Sequence, residues 1–300
     1  MTAVTTAHGI TLEYEDSGSR QAPPILLIMG LGGQLTFWPD EFCTGLSERG
    51  YRIIRYDNRD IGLSSKITPQ RRYSLGKAML ASLLHLQVSA PYTLNDMADD
   101  AVGLLDALDL PSVHVVGVSM GGMIGQILAN RYPLRVRSLT SIMSTTGNPK
   151  LPRPKLKILK RLLTKPPGSS REARIQYIVD TLKLIGSPAY PNEEQRLWDM
   201  VARNYDRDYD PGGTARQFLA ILASGHRVDM LKAVKAPTLV IHGDADPLLH
   251  PNGGRDTVAN IPDAKLEIIE GMGHDLPITL VPRLVDLIAS HIDKNQRAAA

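Results

Sequence analysis

At 300 residues, with 34 basic against 31 acidic side chains and a formal net charge of +3, the chain excludes both a charge-swollen disordered protein and a strongly basic nucleic-acid surface. Its 43% hydrophobic and 22% charged content is ordinary for a globular protein and sufficient for a large core. The single cysteine, Cys43, excludes an internal disulfide; in an apolar-patterned helix it reads as a small buried hydrophobe, consistent with a reducing compartment.

Residues 1–8 show no charged segment leading into an apolar core, so no secretory signal is expected and the cytoplasm is the expected location. Residues 4–6 and 10–14 alternate around His8-Gly9 as an antiparallel hairpin. Pro23-Pro24 then opens the continuous apolar run 25–29, a strand covered on both faces as in a mainly parallel sheet, which ends in Gly30-Leu31-Gly32-Gly33. Residues 39–49 form a helix, 51–56 a strand and 57–64 a turn-rich loop whose acids and Arg59 knit the turn beneath the next elements. A short apolar helix spans 75–86, and the capping box Thr93-Leu94-Asn95-Asp96 starts a helix running to about Leu108. The longest apolar passage, 113–129, is interrupted by turn glycines, Ser119 and Gln126, so it reads as strand plus helix rather than a membrane span, and no stable membrane insertion is expected. Another strand follows at 136–143.

From 144 to 229 the pattern is helical, broken at Pro166-Pro167-Gly168, Gly186-Ser187-Pro188 and Pro211-Gly212-Gly213. The βα rhythm resumes with a strand at 237–241, a helix at 251–260, a strand at 264–269, a helix at 280–292 and a frayed tail at 294–300. Such alternation predicts a doubly wound, mainly parallel α/β sheet, with 1–143 and 230–300 as core and 144–229 as a helical cap inserted after the sixth strand, over the carboxyl ends where ligands bind.

The run Val113–Val118 climbs to Ser119 inside Gly117-Val118-Ser119-Met120-Gly121, a G-x-S-x-G turn between strand and helix. The glycines let strand and helix backbones approach while the serine hydroxyl projects. A serine alcohol is a weak nucleophile at neutral pH, so the reading requires a base and an acid on later loops, in the order serine, acid, histidine. His274 follows the last strand in Gly271-Met272-Gly273-His274, and the strand before it is followed by His242-Gly243-Asp244-Ala245-Asp246-Pro247. Asp244, closer to its strand, reads as a cap of its own turn; Asp246 lies further out and reaches the imidazole. His242 falls in the strand end and His250 near a helix start. For the oxyanion, the backbone N–H of Met120 after the nucleophile and that of Leu31 on the first strand's loop are the expected donors.

These motifs, in this order and across essentially the whole chain, resemble the α/β-hydrolase superfamily. Met29-Gly30, Trp38-Pro39-Asp40-Glu41-Phe42, the stretch 55–64 and Gly117-Val118-Ser119-Met120-Gly121 are similar to the aclacinomycin methylesterase branch and related bacterial carboxylesterases. The resemblance implies Ser119, Asp246 and His274 as a triad, with Leu31 and Met120 as amide donors. Many relatives carry His-Gly at the position of Met29-Gly30, a departure that leaves the backbone donor intact.

Trp38, Met143 and His226 are the candidate pocket residues, with Leu75, Met79 and Leu83 and the cap's Leu182, Trp198, Phe218 and Leu222 as roof candidates. Lys155, Lys157, Lys160, Arg161 and Lys165 interleave with leucines as an amphipathic helix whose basic face is either solvated or drawn to anionic substrates or surfaces. Neither glycine loop fits a nucleotide fingerprint and no histidine–carboxylate spacing suits zinc, so no cofactor or metal is expected. The expected activity is hydrolysis of a small to medium, largely apolar carboxylic ester through an acyl-enzyme, declining below roughly pH 6–7 as the imidazole protonates. The same triad also serves perhydrolysis (haloperoxidase-like), lactone or C–C cleavage and prolyl aminopeptidase chemistry, and the fold also serves non-catalytic binding. The implied partner is a small-molecule ester; self-association is left open.

Overall fold

Runs of branched apolar residues become strands here because helices cover the sheet on both faces. In the computed structural model, which describes residues 2–164 and 167–299, every residue of β3 (Pro24–Ile28) and β5 (Val113–Val118) is buried. Their side chains alternate between two apolar layers: Leu26 and Ile28 face one, Ile25 and Leu27 the other. Lys165 and Pro166, the expected end of the basic helix and its break, lie outside the described residues, as do Met1, Ala300 and the side chains of Leu156, Leu162, Leu163 and 296–299.

The eight-stranded sheet also contains β1 (Thr2–Thr5), β2 (Thr11–Ser17), β4 (Arg52–Tyr56), β6 (Val136–Ile142), β7 (Thr238–Gly243) and β8 (Lys265–Ile269), in the order β1-β2-β4-β3-β5-β6-β7-β8. The hairpin β1–β2 and the pair β2–β4 are antiparallel, and all later pairs are parallel. This is the α/β arrangement anticipated from the pattern. On one face lie α3 (Leu94–Ala107) and α4 (Met120–Arg131), and on the other α1 (Asp40–Glu48) and α11 (Val281–Ala299), with α2 (Leu75–Leu83) in the β4–α3 connection and α10 (Asn252–Asn260) between β7 and β8. The Thr93 capping box forms as expected: its side chain accepts from Asp96 N–H while the Asp96 carboxylate takes the Thr93 N–H.

Between β6 and β7 the described residues contain only helices: α5 (Leu156–Leu163), α6 (Arg171–Ile185), α7 (Glu194–Arg207), α8 (Pro211–Ser224) and α9 (Val228–Leu231). Helices α6 and α7 share a small core of Ile175, Val179, Leu197 and Val201, with Leu182 and Trp198 packed against it, so those two roof candidates serve the insertion's own packing. On α5, Lys157 and Lys160 are exposed, whereas Arg161 stacks on Tyr177 and bonds its carbonyl. The expected C-terminal fraying is corrected: α11 continues to Ala299. After Ile292 there is no glycine or proline to stop it, and Tyr51–Asp293 and Asn295–His291 hydrogen bonds hold its later turns.

Candidate active site

Ser119 stands at the β5–α4 turn with φ 55° and ψ −117°, a conformation rarely adopted by a side-chain-bearing residue and held only where the surroundings demand it. The demand comes from backbone crowding. A Cβ on Gly121 would lie 1.9 Å from the Ile28 carbonyl oxygen, and one on Gly117 would lie 2.2 Å from that of Gly121. With both positions bare, α4 starts directly against β3 and β5 and the serine is lifted clear. Ser119 N–H donates to the Ile142 carbonyl, and Ser144 Oγ donates to the Ser119 carbonyl, fixing the turn from β6.

The loops after β7 and β8 bring the other two predicted groups to the same rim. His274 Nε2 is 3.0 Å from Ser119 Oγ, and its Nδ1 is 2.6 Å from Asp246 Oδ2. The second carboxylate oxygen, Oδ1, accepts the N–H groups of Leu248 and Leu249, both at 2.8 Å. Burial works against a charge here, but the neighbouring His274 ring and the hydrogen bonds outweigh it and hold the Asp246 carboxyl well below the usual carboxylate range. An acceptor-only Asp246 therefore accepts a hydrogen bond from Nδ1–H, leaving Nε2 to accept from the serine.

The two expected amide donors belong to segments adjoining Ser119. Met120 is the first residue of α4, so its N–H has no acceptor within the helix and lies at the positive end of the helix dipole. Leu31 follows Gly30, where a Cβ would stand 3.1 Å from Ser119 Cβ, so the loop passes beside Ser119.

An α/β-hydrolase-fold family profile matches residues 23–279. The chain belongs to the α/β-hydrolase family. Among curated proteins, it is 30% identical to the rhodomycin D methylesterase DauP of Streptomyces sp. (strain C5) and 29% identical to DnrP, the rhodomycin D methylesterase of Streptomyces peucetius, in each case across 97% of both chains. Among solved structures, the enol-lactonase from Burkholderia xenovorans LB400 superposes with a TM-score of 0.75 at 23% identity, covering 97% of this chain and all of that one, which is a likeness of fold.

Several residues in this α/β hydrolase do work at the rim that sequence reasoning missed. His242 is fully buried, and its Nε2 is 2.8 Å from the Leu249 carbonyl oxygen. A carbonyl only accepts, so this nitrogen carries the proton; it is also 3.4 Å from Asp246 Oδ2, behind the carboxylate. Asp244 is corrected: its carboxylate accepts the Gly271 N–H at 2.7 Å, pinning the histidine loop instead of capping its own turn. That loop is also held by the helical insertion. His274 N–H donates to the Ile185 carbonyl at 2.7 Å, and Ser187 Oγ accepts from Gly273 N–H and donates to half-buried Asp275, which also accepts from Asn192.

On the opposite rim, the loop 57–64 is tied to the insertion. Asp57 accepts Leu35 and Leu63 N–H and the Arg207 guanidinium, and Asp60 accepts Ile67 N–H, Tyr92 Oη and Arg216. Fully buried Gln217 on α8 accepts Gly32 N–H and donates to the Arg59 carbonyl, both at 2.9 Å, fastening the Leu31 loop to this network. No local motif announces these partners, because they lie on separate elements.

The pocket expectations fare differently. Trp38 is fully buried, stacked on Phe42 at 5.1 Å between ring centroids, and Met143 is buried in the same apolar layer. The short 3-10 turn Leu35–Phe37 leads directly into Trp38. His226 lies exposed between α8 and α9. Among the described residues no group of three or more His, Cys, Asp or Glu could hold a metal ion, and no helix is long and apolar enough to cross a membrane.

Proposed function

We propose that this chain hydrolyses a carboxylic ester through an acyl-enzyme on Ser119, and the observation carrying the reading is the continuous hydrogen-bonded chain Ser119 Oγ–His274–Asp246 Oδ2. His274 Nε2 takes the serine proton as Oγ attacks the ester carbonyl, and the ionised Asp246 stabilises the imidazolium that forms. The Leu31 and Met120 N–H groups take the negative charge on the carbonyl oxygen. His274 returns the proton to the leaving alcohol, and water, activated by the same ring, releases the acid. The strained turn favours the mechanism, since it fixes the nucleophile before substrate arrives.

The full-length likeness to two methylesterases supports an ester, and a methyl ester first, as substrate. We take residues 144–229 as the cap that shapes the acyl side, because this stretch supplies Arg207, Arg216 and Gln217 to the rim. Burial pushes the lone Cys43 thiol up to about 11, an inert group suited to a reducing, cytoplasmic setting. The test is Ser119→Ala assayed on a soluble aryl ester and on methyl esters of apolar acids, with methanol release measured. Loss of about 10⁴-fold or more in kcat, together with loss of fluorophosphonate labelling, is expected. Retained hydrolysis at the wild-type rate would remove the mechanism.

A further inference from the structure

The β4–α3 connection carries a run of apolar side chains that the rest of the fold leaves uncovered. Leu80, Leu83, Leu84 and Leu86 are 58%, 52%, 57% and 61% exposed. Leu80, Leu83 and Leu84 follow helical i, i+3, i+4 spacing, so they share one face at the end of α2, and Leu86 extends it past the helix. Helix α2 already has its packing partner: it lies against α8, with Ala78 buried. A solvent-facing helix surface ordinarily carries polar residues. Leu83, expected to roof the pocket, instead belongs to this outward face.

The charge on this stretch of chain has one sign. No Asp or Glu occurs between Asp60 and Asp96, whereas Arg71, Arg72 and Lys77 are all exposed. Lys77 precedes Leu80 by three residues and so shares its face. Four half-exposed leucines amount to a few hundred Å², well short of the roughly 800 Å² per partner that a stable dimer buries. A two-fold contact between copies would also bring these like charges together.

We propose that this leucine face and its cationic rim dock the protein reversibly onto an anionic lipid surface. The leucines enter the boundary between headgroups and acyl chains while Lys77, Arg71 and Arg72 meet the headgroups. Nine residues of α2 are far too few to span a bilayer, so the helix lies in the plane of the surface. The proposal is independent of which bond Ser119 attacks.

The test is co-sedimentation of the full chain with vesicles of phosphatidylcholine alone or mixed with phosphatidylglycerol. Binding to the mixed vesicles, weaker binding to phosphatidylcholine and release by salt are expected. The combined variant Leu80→Ser, Leu83→Ser, Leu84→Ser and Leu86→Ser should lower the vesicle partition coefficient about tenfold or more with an unchanged thermal midpoint. Lys77→Glu with Arg72→Glu should remove the preference for phosphatidylglycerol. Absence of wild-type binding, or full binding by the leucine variant, overturns the proposal. So does a wild-type light-scattering mass of two chains that falls to one in the leucine variant, which would identify a second copy as the occupant.

Discussion

Two rims face each other across Ser119, and each is built around buried aspartates answered by two kinds of partner. Asp246 takes two backbone N–H groups and an imidazole; Asp57 takes two backbone N–H groups and a guanidinium. At Asp57 burial pushes the carboxyl upward despite Arg207, whereas at Asp246 the hydrogen bonds and the His274 ring prevail and push it down. The important difference lies in the partner. A guanidinium never gives up its proton, so Asp57–Arg207 can only hold two segments together. An imidazole can accept a proton on its far nitrogen, so the same carboxylate geometry becomes a device for moving one. One rim fastens; the other has a partner able to move a proton.

The strongest way to break that contrast is Asp246→Asn, which keeps the side-chain size but no longer selects the right tautomer. A fall of about 10⁴-fold in kcat with little change in unfolding midpoint is expected. Next, Asp57→Asn removes the charge that answers the Arg207 guanidinium, which keeps its bond to Gln34 Oε1, and should cost about 3 kcal/mol in denaturant titrations, while kcat in the folded enzyme changes by less than about tenfold. If Asp57→Asn instead silenced the folded enzyme, the two rims would not differ in kind.

His114 sharpens the comparison by showing burial in command. Burial, helped by Arg137 and His291, depresses its pKa to about 4 from 6.5. The unfolded chain therefore takes up this proton before the folded one does, so stability falls as pH drops from 6.5 to 4, by about 3 kcal/mol from this ring. His114→Gln should flatten that part of the stability–pH curve, measured by denaturant titration at each pH. The smallest effect is expected at Ser187, a positioning residue for the His274 loop. Ser187→Ala should lower kcat roughly tenfold with KM unchanged, and Ser187→Thr should recover most of it. A change confined to KM would place Ser187 in substrate binding instead.

Much of the sheet was legible in the sequence, as were the three side chains that the structure brings together at Ser119, because their signals are local. Unbroken apolar runs mark strands covered on both faces, the Thr93–Asp96 box marks a helix start, and Gly117 and Gly121 mark the sharp turn at Ser119. Arg207, Arg216 and Gln217 left no such trace, since pairing between distant segments has no periodicity. Asp244 was misread for a related reason: its own turn and the Gly271 amide compete for the carboxylate, and only the fold brings the second within reach. Trp38 and Met143 were singled out from loops and strand ends, and the fold gathers both into one apolar layer.

The bonds from Ile185 and Ser187 to the His274 loop carry a consequence for engineering. Exchanging helical insertions between related enzymes is an obvious route to new substrate preferences, and the natural cut points lie just after β6 and just before β7. In this chain such a graft would remove the Ile185 carbonyl and the Ser187 hydroxyl that seat the His274 loop. A chimera that keeps residues 185–192 from this protein should retain its turnover while changing its preference; one that discards them must rebuild both.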